Sequence, residues 1–261
     1  MTIIVSIISD FGLIQASDSN LTASGFSTAS PGTKVFPLGF NAGALALAGT
    51  YSVGTGAQTM ETWMPSCISD YASTDSSPTQ AGFANYLKDR LNTDFTPSQR
   101  AGPTIIQIVG YVSDDAGVHP TLHVVRNDTA INTTTGAYQG IQPTFQVSED
   151  FWNRDYKIRG SLGPGEYQTY FNGTPDGRIA YFEFMQRFQD FLLNVWSQPN
   201  WKFRPPQSLD ELASIVELQI RTIGLLYGMS NYAAPSIGGD TQIIKIAPPP
   251  GVVSLATGTA P

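Results

Sequence analysis

The chain has 261 residues, 41% apolar and 13% charged, with a formal net charge of −7; this length supports a packed core, and the composition excludes an extended disordered chain. Without clustered Lys and Arg to neutralise phosphates, the negative balance excludes a nucleic-acid binder. The single cysteine, Cys67, excludes an intrachain disulfide and fits a reducing compartment, and the absence of a leader pattern or of about 18 consecutive apolar residues gives a cytoplasmic protein that does not engage a membrane as the expectation.

Thr2 to Ile8 is β-branched and apolar on both of its alternating faces, the pattern of a strand buried between two layers. Asp10-Phe11-Gly12 supplies a turn, and Leu13 to Ser17 reads as the returning strand. If the turn centres on Asp10 and Phe11, paired residue numbers sum to about 21 in antiparallel register, which sets Asp18 and Ser19 beside Thr2 and Ile3. A Ser/Thr/Gly-rich loop spans Asn20 to Gly32, and a second hairpin runs from Thr33 to Leu38 and from Ala42 to Ala48. Apolar residues then recur at helical spacing from Val53 to about Ser69 and from Thr79 to Leu91.

Thr104 to Val112 and Pro120 to Val125 read as a strand pair, and Phe145 to Gly163 as mixed strand and irregular structure. Two further helices are predicted. The first, Arg178 to Trp196, carries an aromatic stripe at Tyr181, Phe184, Phe188 and Phe191, and the second, Leu209 to Tyr227, opens on a capping box of Ser208 and Glu211. Thr241 to Ile246 is a closing strand. This order predicts an α+β chain folded as a four-layer αββα sandwich, two stacked antiparallel sheets flanked by helix pairs. Residues 1–246 form one domain in this reading, and the Pro-rich residues 247–261 a disordered tail.

Chemistry concentrates at the start of the chain. Methionine aminopeptidase acts when the second residue is small, so Met1-Thr2 predicts a mature chain that begins with Thr2. One residue then carries a hydroxyl nucleophile and, in its α-amine, a base whose ordinary pKa lies at about 7.7–8.0. Such a site further needs a cation to favour the alkoxide, a carboxylate to hold the cation, and backbone N–H donors for an oxyanion.

Thr2, Asp18 in Gln15-Ala16-Ser17-Asp18-Ser19, Lys34 in Gly32-Thr33-Lys34-Val35-Phe36 and Gly49 in Leu47-Ala48-Gly49-Thr50 resemble the proteasome β-subunit and HslV family of N-terminal-nucleophile (Ntn) hydrolases. The resemblance implies that Thr2 is the nucleophile, Lys34 the cation lowering its pKa, Asp18 the carboxylate orienting Lys34, and the Gly49 N–H the oxyanion donor. Gly160-Ser161-Leu162-Gly163 matches the family's glycine-serine loop, making Ser161 an accessory residue and Pro164 to Asp176 an insertion. Ser236-Ile237-Gly238-Gly239 resembles the family's Asp-x-x-Ser-Gly-Gly segment, but Ala234 and Ile237 stand where its Asp and Ser are expected. Length and a divergent second half bring the chain nearer to the bacterial Anbu-type homologues than to HslV.

The resemblance thus implies a threonine-type peptidase that forms an acyl-enzyme on peptides or unfolded polypeptides, without cofactor or metal. It further implies self-assembly into a ring or open spiral, with any unfoldase ATPase partner unidentified. Two other readings stay open: a non-catalytic assembly subunit of the same fold, and an acyl transferase sharing the acyl-enzyme. His119 and His123 read as strand-end residues, and Asp114-Asp115 and Glu149-Asp150 as solvated turns, since a metal site needs three or four converging ligands.

Overall fold

A computed structural model describes residues 2–22, 29–115, 117–128, 140–148, 167–173, 184, 187–188, 190–198, 200, 204–229, 237–250 and 252. Strands β1 (Ile3–Ser9) and β2 (Gly12–Asp18) form the expected hairpin, with Ile4 opposite Ser17 and Ser9 opposite Gly12, so that paired numbers sum to 21. Every residue of both strands is buried, as their β-branched and small residues require of a sheet covered on both faces.

The Ser/Thr/Gly stretch read as a loop contains a short ribbon, β3 (Asn20–Thr22) paired with β4 (Ala29–Pro31). The second hairpin is β5 (Val35–Pro37) and β6 (Ala44–Ala48), in register Val35 to Ala46. Helix α1 (Met60–Thr74) begins seven residues later than the periodicity suggests. The delay has a local cause: the Val53 N–H bonds to the Gln58 carbonyl, Gly54 takes a left-handed φ of +67°, and the helix opens only at the Thr59 cap. Helix α2 (Gln80–Asp94), capped by Thr79, follows as predicted, and a single turn, α3 (Pro97–Arg100), leads into the long hairpin of β7 (Ile105–Asp114) and β8 (Gly117–Asp128).

Strand β9 (Ile141–Val147) covers the edge of β8, and β10 (Tyr167–Gly173) pairs antiparallel with β1 from Ile3–Gly173 to Ser9–Tyr167. The stretch taken as an insertion relative to the family, Pro164 to Asp176, thus holds at residues 167–173 a strand of the sheet that Thr2 leads into. Ser208 caps α4 (Leu209–Gly228), its Oγ accepting the Glu211 N–H at 3.2 Å, while the Glu211 carboxylate turns to Arg204 and the Gln207 N–H and so does not complete the predicted capping box; β11 (Thr241–Ile246) closes on β2. Residues 190–197 are helical, as expected, and the rest of the predicted helix around them lies largely outside the described residues. Within the Pro-rich end, Val252 makes a parallel bridge to Val118 and packs beside Leu122 and Ile246.

The chain is therefore mixed α+β with antiparallel sheets, in strand orders β10-β1-β2-β11 and β5-β6-β7-β8-β9. Ile3, Val5, Ile7, Ile14 and Ala16 pack on Leu212, Val216, Ile220 and Ile223 of α4, joined by Phe184, Phe188 and Trp196. The alternate residues Ile8 and Leu13 meet Ala44, Ile105, Val109 and Leu122 of the larger sheet. Trp63, Cys67, Phe83, Leu87 and Leu91 of α1 and α2 cover Phe36, Leu45, Leu47 and Ile106 on that sheet's other face. Each such buried side chain contributes about 1.5–3 kcal/mol relative to exposure, so the frame under the hairpins is held from both sides.

Candidate functional site

Thr2 immediately precedes β1 and is buried, with 5% of its surface exposed. Asp18 ends β2, the partner strand, and Lys34 immediately precedes β5 at the edge of the other sheet. Their exposures are 0% and 1%, far below what isolated charges tolerate. The Lys34 ammonium donates to Thr2 Oγ1 at 2.8 Å, to Asp18 Oδ2 at 3.1 Å and to the Asn20 carbonyl at 2.5 Å. Three acceptors match the three protons of an ammonium.

Asp18 is satisfied as fully. Its Oδ1 accepts the Ile3 N–H at 3.0 Å, and its Oδ2 accepts the Gly238 N–H at 3.3 Å in addition to Lys34. Burial pushes the Asp18 carboxyl up from its ordinary range and the Lys34 ammonium down from its own, while their mutual attraction opposes both shifts. A buried pair of this kind holds only when its remaining hydrogen bonds are made, and here they are.

The Gly238 peptide works in two directions, its N–H on Asp18 and its carbonyl accepting the Asn20 N–H at 3.1 Å. Gly239 follows with φ +73°, and a Cβ there would lie 2.5 Å from both Asn20 Oδ1 and Ser19 Oγ. Ser19 Oγ in turn accepts the Asp240 N–H at 2.9 Å. Glycine at these positions lets the chain before β11 approach the end of β2 closely. Ile237, at the position of the expected family serine, is fully buried against α4 and carries no polar group toward the site.

Gly49 sits just beyond β6, the strand whose Leu47 N–H holds the Lys34 carbonyl at 3.0 Å. Its φ of +113° and the 2.0 Å that would separate a Cβ from the Pro103 carbonyl oxygen explain why the position is glycine. Thr2 and Asp18 are thus each in direct contact with Lys34, Gly49 follows β6, the partner of the strand that Lys34 precedes, and Ser161 lies outside the described residues, as does Ala234.

Three participants had no assigned part in the sequence reading: Asn20, Gly238 and Gln242, the last of which binds the Lys34 backbone from β11. Only Gly238 carried a signal, the Gly-Gly pair. An open cleft of about 780 Å³, lined by Asn20, Ile220, Arg221, Leu225, Ile237 and Gly238 among others, shares Asn20 and Gly238 with the site.

Elsewhere, His119 Nδ1 stands 3.6 Å from Asp114 Oδ1 across the β7–β8 turn, and His123 Nε2 lies 2.9 Å from Thr121 Oγ1. Among the described residues no three His, Cys, Asp or Glu side chains converge on a metal position, and no helix is long and apolar enough to cross a membrane. Cys67 is buried under α1, and its thiol is pushed up to about 12 by desolvation, which leaves it a core residue with little thiolate at neutral pH. The sequence matches no protein-family model and no curated protein.

Proposed function

We propose that the protein is a threonine-type Ntn hydrolase in which Thr2, exposed as the first residue by removal of Met1, attacks the carbonyl of a peptide substrate. The observation that carries this reading is the 2.8 Å hydrogen bond from the Lys34 ammonium to Thr2 Oγ1, with Asp18 behind it. A cation touching the hydroxyl favours the alkoxide as it forms. The free α-amine of Thr2 would stand on the same residue as that contact, where it can serve as the base.

In the proposed reaction the amine takes the Oγ1 proton, directly or through water, as Oγ1 bonds to the substrate carbonyl carbon. The Gly49 N–H is the assigned donor to the resulting oxyanion. Collapse breaks the C–N bond, the departing amine takes the proton, and an ester on Thr2 remains. Water then attacks the ester with the same amine as base, releasing a carboxylic acid and restoring the hydroxyl. Transfer to an amine acceptor in place of water shares every step up to the ester.

The order of packing, α4 on the first sheet, that sheet on the second, and α1 with α2 outside, supports the four-layer αββα arrangement of Ntn hydrolases. The exposed side chains of Leu218, Leu225, Leu226 and Met229 on and after α4 give self-assembly an apolar face to use. The buried Ile237 favours the second reading, a non-catalytic assembly subunit, because it supplies no hydroxyl near the amine.

Intact-mass measurement before and after treatment with a peptide epoxyketone, which bridges a hydroxyl and a neighbouring α-amine, separates the two. The catalytic reading expects a Met-free chain that gains one inhibitor mass, and a Thr2→Ala chain that gains none. Retained Met1, or a Met-free chain as inert as Thr2→Ala, decides for the assembly subunit.

A further inference from the structure

We infer that Gln242 is a positioning residue for Lys34, an inference that rests on the catalytic reading of Thr2. Its carboxamide oxygen accepts the Lys34 N–H at 2.7 Å and the Val35 N–H at 3.3 Å, and its Nε2 donates to the Gly32 carbonyl at 2.8 Å. Two donors on one side and a carbonyl on the other fix which way the amide faces. One side chain therefore ties down the backbone from Gly32 to Val35.

The location explains why such a tie is needed. Among the described residues β5 is the edge of the larger sheet, with β6 on one side only: the Leu47 N–H donates to the carbonyl of Lys34, the residue before β5, while the Lys34 and Val35 N–H groups both donate to Gln242. Outward-facing edge groups are left to water or to another chain unless something covers them. Here β11, itself the edge of the smaller sheet, supplies the cover through Gln242.

β11 is also registered on the strand that carries Asp18, with Thr241 opposite Asp18 and Gln242 opposite Ser17. Gln242 thus links the backbone that bears the cation to the strand that bears its carboxylate. The four-carbon Lys34 stem has many rotamers, and the 2.8 Å contact with Thr2 Oγ1 requires its root to be fixed relative to Thr2 and Asp18. Lys34 and Val35 are held by β6 on one side and by Gln242 on the other.

The experiment measures the rate constant of epoxyketone adduct formation at saturation, the concentration for half-saturation, and thermal stability, for wild type, Gln242→Met and Gln242→Glu. Methionine keeps the length and removes all three hydrogen bonds; glutamate keeps the two acceptor contacts and loses the donor to Gly32. A displacement of about 1 Å at a reacting group costs up to about 100-fold. Gln242→Met is therefore expected to react about 10- to 100-fold more slowly, with half-saturation within about threefold of wild type, and Gln242→Glu to recover part of the rate. A role limited to stability predicts instead a lower melting temperature and a smaller reactive fraction, with the folded protein reacting at the wild-type rate constant. That result overturns the inference. If Gln242→Met does not fold, Gln242→Glu carries the same comparison: a rate constant equal to wild type overturns the inference, and a reduced one supports it. If wild type forms no adduct, the Thr2 reading itself fails, whereas a reactive wild type beside an equally reactive variant removes only Gln242.

Discussion

Lys34 Nζ lies 2.8 Å from Thr2 Oγ1 and 3.1 Å from Asp18 Oδ2, so a buried cation from the edge of the larger sheet touches two residues of the smaller one. Removing one member of such a pair strands the other charge, at a cost of about 3–5 kcal/mol. Lys34→Met is expected to lose about that much in urea unfolding, and adding Asp18→Asn to restore a substantial part of it. Both chains should fail to form the epoxyketone adduct. Recovery of stability without recovery of reactivity separates the two roles of the pair.

Gly49→Ala places a methyl group 2.0 Å from the Pro103 carbonyl oxygen at a left-handed φ. Strain of this kind costs about 1–3 kcal/mol before the contact is relieved, and the clash adds to it. Thermal melting should show a clear loss. Gly56→Ala, where a Cβ meets nothing within 4 Å, should leave the melt nearly unchanged.

Ile237→Ser introduces the hydroxyl that the family resemblance expects, yet the side chain it replaces is fully buried with Val216, Ile220 and Ile223. Large-to-small changes at such sites cost about 2–5 kcal/mol, and an unpartnered hydroxyl adds to the loss. The expected outcome is a less stable protein with no gain in the adduct-forming rate constant. A faster variant would show that the position still serves the amine.

Glu211 offers a pH test remote from the site. Its two oxygens receive the Arg204 guanidinium at 2.7 and 2.8 Å and the Gln207 N–H at 2.9 Å, which together hold its carboxyl at about 2 in place of 4.5. A depressed folded-state value means that the stabilisation is complete above 4.5 and is lost as pH falls toward 2. Wild type should therefore melt slightly higher than Glu211→Gln at pH 7, with the gap closing between pH 4.5 and 2. The group is exposed, so the gap is small and shrinks further in salt.

What the sequence could show about the site followed from local arithmetic. The Asp10-Phe11 turn fixed the register that brings the end of β2 to the start of β1, which the pairing from Ile4–Ser17 to Ser9–Gly12 bears out, and the structure puts the Asp18 carboxylate on the Ile3 N–H. Lys34 entered through a resemblance of its surrounding motif to the proteasome β-subunit family, not through any periodic pattern. Asn20, Gly238 and Gln242 escaped because their contacts are made by backbone groups or by partners more than two hundred residues away, as with Gly238 on Asp18 and Gln242 on Lys34. No local propensity encodes such a contact.

The fold was read in the same uneven way. β1, β2 and the β7–β8 hairpin announced themselves by β-branched apolar runs bounded by turns. β10 did not: Tyr167–Gly173 mixes polar and aromatic residues, and a glycine- and proline-rich approach obscures it, so its place beside β1 emerges only from pairing. β3 and β4 are three residues each, too short for any period to register.

The Gly238 peptide has a consequence for the order of assembly. Asp18 and Gly238 are 220 residues apart, and Lys34 and Gln242 are 208 apart, so a chain leaving the ribosome presents Thr2 long before the segments that complete its surroundings exist. Contacts between such distant segments form late. The two braces from the C-terminal segment, Gly238 on Asp18 and Gln242 on the Lys34 backbone, are thus the last to close, and a product that stops short of residue 238 keeps the Lys34–Asp18 pair but lacks both.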